Sequence, residues 1–241
     1  MPTSYQKNSA RDKQQREFLS KFIEASRKAV QKLDLHAEIC QDMVELKQHL
    51  ASKRAIINPS FDADEHTLKS CFWLKIRNQD GEIIACHAER VFETSDFISE
   101  LIATGRLWWD ASKPIPPSNW RNELSAPNRL IHGRVAYAGS MLIDPKYRGI
   151  GLSRYLPYLS RAIAIQDLDT DFHTGIVRQS LAASRVPREN YGFSQIDQIF
   201  HGLLPGVSGE PEAVFLCWMD RSEALTTLEN AAIGTKFPIY L

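Results

Sequence analysis

Net charge is the first thing this sequence lacks. Lysine plus arginine and aspartate plus glutamate number 29 each, so the formal charges cancel at neutral pH. A chain with no overall field is not steered as a whole onto nucleic acid or anionic lipid. Cysteine is also scarce. Cys40, Cys71, Cys86 and Cys217 stand far apart, with no C-x-x-C pair. That spacing gives no sign of zinc or redox chemistry, and the four read as buried cytosolic thiols. No apolar run is long enough to span a bilayer. The opening stretch MPTSYQKNSARDKQQREF has no apolar core of the kind a signal peptide needs. These absences lead to the expectation of a cytoplasmic protein with no membrane, nucleic-acid or metal partner.

What is present is an ordinary globular mix over 241 residues, 43% hydrophobic and 24% charged. Such a chain can bury a sizeable core without staples. Residues 1–10 are polar and read as lying outside regular structure. From Arg11 to Leu33, Phe18, Leu19, Phe22, Ile23, Val30 and Leu33 recur at helical spacing. A second helix is predicted over Asp42–Ser52, broken by NPSFDAD at Asn58–Asp64. CFWLKIR then alternates with period two. Asn78-Gln79-Asp80-Gly81 supplies a hairpin turn, and EIIACHAERVF returns. SDFISELIATG reads as a short helix ending at Gly105. The Trp- and Pro-rich stretch after it reads as a long ordered loop.

RVAYAGSMLI reads as a central strand with Val135, Tyr137, Gly139, Met141 and Ile143 on one side. After it come two glycines and an amphipathic helix marked by Leu152, Tyr155, Leu156, Leu159 and Ile163. FHTGIVR, YGFSQIDQIF and EAVFLCWM follow as strands. SLAASRVPREN is a helical turn interrupted by Pro187, and SEALTTLENAA is a late helix. The interleaving predicts a mixed α/β (α+β) domain.

The sharpest local signal is KYRGIGLS, Lys146 to Ser153, between the central strand and its helix. A helix N-terminus exposes unpaired N–H groups and the positive end of the macrodipole. Glycines before it let an anion approach the backbone. The P-loop pattern is absent, and G-x-G-x-x-G fails because Arg154 stands at the third glycine. ATP and NAD readings therefore drop. The plain alternative is a strand turning into a helix with no ligand.

The run Asp144 to Ser153 resembles the coenzyme A loop of the GCN5-related N-acetyltransferase (GNAT) superfamily, Q/R-x-x-G-x-G/A. Arg148 fills its first position, Gly151 its fourth, and Ser153 replaces the last Gly/Ala. A second segment fits. Val177-Arg178-Gln179-Ser180 runs without a gap through Ala182-Ala183 to Glu189 and Gly192-Phe193, like V-R-x-S-N followed by Y-E-x-x-G-F. The resemblance covers Gly133–Phe193. It implies a GNAT-like mixed, mostly antiparallel sheet flanked by helices. Residues 1–33 would form an N-terminal helical extension and 34–241 an acyltransferase domain, with a helix plus Trp/Pro insertion at 95–130.

For function the resemblance implies acyl transfer from acyl-CoA, by default acetyl-CoA, to a small-molecule or peptide amine. Met141, Leu142 and Ile143 would pair with the pantetheine arm. Arg148, Gly149, Ile150, Gly151, Leu152 and Ser153 would hold the pyrophosphate. The sequence departs from the pattern at two catalytic positions: Arg188 stands where the tyrosine acid is usual, and Leu181 where the asparagine is usual. Tyr191, three residues on, is the nearest candidate acid, although its spacing need not aim it at the sulfur. His132 and His173 are candidate bases because imidazole titrates near neutrality, with Glu89 behind them. Tyr137 is a candidate border of the acyl site. Trp108, Trp109 and Trp120 read either as anchors of their loop or as an aromatic wall over the acceptor. A homodimer contact for the first helix, a CoA-binding module without turnover, and a longer acyl or an aminoacyl donor are the readings that compete.

Overall fold

The computed structural model describes residues 4–64, 70–110, 124–205 and 210–233, the side chains of 4–11 excepted. The core is one seven-stranded sheet in the order β1-β2-β3-β4-β5-β7-β6. Its strands are β1 His36–Cys40, β2 Cys71–Arg77, β3 Ile83–Thr94, β4 Gly133–Ile143, β5 Phe172–Arg178, β6 Gln195–Gly202 and β7 Glu212–Asp220. Neighbours run antiparallel except β4 and β5, which are parallel. This is the mixed, mostly antiparallel sheet that the sequence implied.

Helices α1 (Ser4–Gln31), α3 (Leu152–Leu168) and α6 (Arg221–Ile233) cover one face. The other face packs against α2 (Met43–Ser52), a 3-10 turn at Pro59–Phe61 and a wide-turn helical segment at Phe97–Ile102. Two short helices, α4 (Gln179–Ala182) and α5 (Val186–Glu189), follow β5. Pro187 sits in the first turn of α5, where its missing N–H costs nothing.

Four details differ from the sequence expectation. Helix α1 begins at Ser4 rather than Arg11. Its first turns have no glycine or proline, so propensity carries the helix beyond the apolar stripe. Strand β1, HAEIC, was not read as a strand; it is a half-exposed edge with little alternation. The Phe97–Ile102 segment closes i→i+5 bonds, such as Ala103 N–H to Ile98 O at 2.8 Å. Residues 111–123 of the Trp/Pro loop, Trp120 among them, lie outside the described residues.

The fourth difference shapes the site. Ala88 on β3 pairs with Gly139, yet Cys86 pairs with Leu142. One extra residue therefore lies on β4, and Ser140 takes it up with φ 47, in the left-handed region. The bulge reverses the alternation. Tyr137 and Leu142 pack with the α2 face, whereas Met141 and Ile143 pack with the α3 face. The expectation that Tyr137, Met141 and Ile143 share one side fails for this reason.

Helix α3 is buried almost all round, with Tyr155 through Ile165 continuously covered. Its outer side is closed by α1, whose Ser20 hydroxyl donates to Gln166 Oε1 at 3.1 Å. Leu19, Phe22, Ile23 and Val30 of α1 belong to the same cluster as Leu156 and Leu159. The N-terminal helix is thus built into the core that positions the site.

Candidate active site

Strands β4 and β5 pair only from Val135↔Phe172 to Ala138↔Gly175. Beyond Ala138 they part. Gly139–Ile143 pairs with β3 alone, and Ile176–Arg178 with β7 alone. Each strand leaves a row of backbone N–H and C=O groups facing the gap, the kind of edge that accepts an extended ligand. A cavity of about 230 Å³ lies in this gap on the α3 side, bordered by Ser140, Met141, Pro157, Val177, Leu181 and Tyr191.

At the outer end of the gap the chain passes from β4 through a 3-10 turn, Pro145–Tyr147, into α3. Asp144 caps the turn by accepting from Lys146 N–H at 3.0 Å. Asn78 donates to the Tyr147 hydroxyl at 3.2 Å, tying the loop to the β2–β3 hairpin. Gly149 and Gly151 have φ of 86 and 93, which side chains other than glycine adopt only with strain. A Cβ on Gly149 would meet nothing within 4 Å. The conformation, not crowding, therefore demands glycine there, and the space in front of the backbone is open. Gly151 caps α3 without any side-chain hydrogen bond. The first-turn N–H groups of Leu152 and Ser153 have no helical partner. Ser153 Oγ accepts from Asn190 at 2.9 Å, and Arg154 Nε donates to Glu189 O at 3.0 Å, which fixes α5 beside the cradle. Backbone donors, open space and a helix N-terminus fit a pyrophosphate. Arg148 is exposed at the rim.

The sequence candidates divide. Tyr191 lines the gap, and burial raises its hydroxyl above the ordinary value. Leu181 lines it as well. Arg188 points elsewhere, donating to Ser194 O at 2.7 Å. His132 is exposed, lies tilted against Phe172 with ring centroids 5.9 Å apart, and precedes β4. From there to Gly139 the strand spans about 20 Å, so His132 is not brought to the gap.

Tyr137 is fully buried on the opposite face. Asn58 donates to its hydroxyl at 2.9 Å, and Phe61 stacks on its ring at 5.8 Å. Burial pushes its pKa up to about 12, with hydrogen bonds led by Asn58 partly offsetting that. A Cβ on Gly139 would stand 2.8 Å from Phe61, so glycine is required for this packing. Tyr137, Asn58 and Trp108 border a second cavity of about 210 Å³ on this face, together with Ile57 and Leu204. Ser140, Met141 and Ile176 border both cavities. The two therefore lie on either side of these same residues.

His173 lies on the floor of the first cavity with Glu89, His87, Ser160 and Arg161. His173 Nε2 is 3.1 Å from Thr170 Oγ1, and Nδ1 lies 3.4 Å from Glu89 Oε1. Ser160 donates to the other Glu89 oxygen. Burial depresses His173 and keeps it neutral. Burial works against ionised Glu89, but His173 and Ser160 outweigh it and hold the carboxyl below its ordinary range. Sequence reasoning missed His87, Ser160 and Arg161. The available signal was weak: His87 and Glu89 are polar residues at alternate positions of a strand covered on both faces.

No protein-family model matches the chain. No curated protein matches it in sequence. Solved structures do match in fold. NAA60 from Arabidopsis thaliana in complex with acetyl-CoA has a TM-score of 0.50 at 13% identity, covering 78% of this chain and 99% of that one. The spermidine/spermine N-acetyltransferase SpeG from Vibrio cholerae gives 0.47 at 10% identity over 80% and 97%. The likeness to NAA60, with the mixed seven-stranded sheet, shows the GNAT fold. Among the described residues, no group of three or more His, Cys, Asp or Glu is placed to hold a metal ion. No described helix is long and apolar enough to cross a membrane.

Proposed function

We propose that the chain is an acyl-CoA-dependent N-acyltransferase. The observation that carries this reading is the parting of β4 from β5 directly above a glycine-turned helix N-terminus. Backbone groups from Arg148 to Ser153 hold the pyrophosphate of the donor, and the free edge at Met141–Ile143 pairs with its pantetheine arm. Acetyl-CoA is the simplest donor.

The thioester then lies between the two cavities, beside Ser140 and Met141. The acceptor amine enters from the side of Tyr137, Asn58 and Trp108. Its nitrogen attacks the thioester carbonyl carbon, the C–N bond forms and the C–S bond breaks. Backbone N–H groups at the bulge stabilise the oxyanion. The amine gives up its proton to water at the cavity mouth. Tyr191, which lines the gap and carries its phenolic proton at neutral pH, donates to the departing thiolate. His173, enclosed by Thr170 and Glu89, acts as a positioning residue on the cavity floor rather than as a mobile base. Tyr137 shapes the acceptor side.

Release of free thiol from acetyl-CoA in the presence of mixed primary amines tests the reading. Turnover is expected, and Tyr191→Phe is expected to lower kcat by about 100-fold with CoA affinity unchanged. Absence of thiol release from any acyl-CoA would leave only a binding module.

A further inference from the structure

The floor of the first cavity holds more polar chemistry than acetyl transfer needs. His87, Glu89 and Arg161 are only 3%, 2% and 3% exposed. Arg161 Nη2 donates to Tyr191 O at 2.8 Å, and its guanidinium packs between the rings of Tyr158 and Phe193, at 5.6 and 5.3 Å. Among the described residues, its Nε and Nη1 have no hydrogen-bond partner, and neither does either ring nitrogen of His87. His87, Glu89 and Arg161 border the cavity. The buried carboxylate beside them, Glu89, is occupied by Ser160 and His173 and makes no hydrogen bond to Arg161.

A buried donor left unpaired costs the full desolvation of that group, and more when it is charged. Arg161 cannot lose its charge to escape this. Its planar fork is held rigidly by the two rings and the Tyr191 carbonyl. Nε and Nη1 lie on different edges of the guanidinium, and each edge is completed by Nη2, whose second N–H is not used by the Tyr191 carbonyl. One such edge matches a planar, two-oxygen anion. Ser140 and Met141, beside which the proposed thioester lies, border the same cavity as Arg161.

We propose that the acyl group of the donor ends in a carboxylate, as in a short dicarboxylic acyl-CoA, and that Arg161 recognises that carboxylate with His87 beside it. This rests on the acyl-CoA reading above and names the donor class for the same site. An acetyl group leaves the fork unmatched.

The test is calorimetric titration of the full chain with CoA, butyryl-CoA and succinyl-CoA, which requires no knowledge of the acceptor. Succinyl-CoA is expected to bind at least about tenfold more tightly than butyryl-CoA, the worth of one charge-assisted hydrogen bond. In Arg161→Met that ratio is expected to fall to about one, while CoA itself, which has no acyl tail, binds both proteins alike. Arg161→Lys, which keeps the charge but not the fork, should retain part of the preference. Equal or tighter binding of butyryl-CoA to the unmodified chain overturns the donor assignment and leaves the acyl-CoA reading standing. That comparison decides the matter even if the Arg161 variants do not fold. Failure of all three ligands to bind overturns both.

Discussion

At the scale of the residue, burial without a partner decides how His87 titrates. Desolvation depresses its pKa from 6.5 to about 4. In the unfolded chain the ring takes a proton near its ordinary value. As pH falls from about 6.5 to about 4, the unfolded state gains a proton that the folded state refuses. Stability is therefore present above that window and is lost through it, by about 3 kcal/mol for a shift of this size. His173, depressed in the same direction, adds to the loss. Urea denaturation at stepped pH should show a shallower acid loss in His87→Gln than in the unmodified chain; parallel curves would contradict the account. Neither His87 nor Arg161 was legible as special in the sequence. A single imidazole in a strand and a single guanidinium in a helix look like solvated surface until the packing on every side is known. Tyr191 was legible only as the tyrosine nearest the expected position. The structure supplies the reason it lines the gap while Arg188 does not, since the Arg188 fork is occupied by Ser194 O.

At the scale of the element, the glycine loop was legible as a turn from strand into helix because its geometry demands residue types that little else does. Positive φ at Gly149 and Gly151 and an uncapped helix N-terminus leave a clear trace in composition. The β4 bulge leaves none, because Ser140 is an ordinary strand residue by type and its left-handed φ follows from pairing with β3. That one inserted residue sends Tyr137 to one face and Met141 to the other, so the cavities on the two faces were not legible either. Gly149→Ala separates conformation from ligand space. A Cβ there touches no protein atom, so the expected stability loss is only about 1–2 kcal/mol, from strain at positive φ. The same methyl would stand in the proposed phosphate cradle. CoA affinity is expected to fall by more than about tenfold, 1.4 kcal/mol, a discrepancy that calorimetry and urea titration together would detect. Equal affinity would place the ligand elsewhere.

At the scale of the whole molecule, α1 closes the outer side of α3, and α3 carries both the cradle and the cavity floor. The pattern over Arg11–Leu33 announced a helix with one apolar face, but not what that face would meet. Sequence separation hides such contacts, since α1 and α3 lie more than a hundred residues apart. Phe22, 3% exposed within the shared core, is the direct probe. If α1 belongs to the folding unit, Phe22→Ala should lower global stability by about 3–5 kcal/mol in a single cooperative transition. A separate early transition, with the rest unchanged, would mark α1 as an independent appendage.

The central claim is that the gap between β4 and β5, with the turn at Gly149 and Gly151, binds a CoA thioester. Calorimetric titration of CoA into the unmodified chain and into Gly151→Glu tests it most directly. The account predicts saturable one-to-one binding to the first. It predicts none to the second, in which a carboxylate would occupy the place of the pyrophosphate and the turn is strained at positive φ, with the circular dichroism spectrum checking that the overall fold is kept. Equal affinity in both proteins would contradict it.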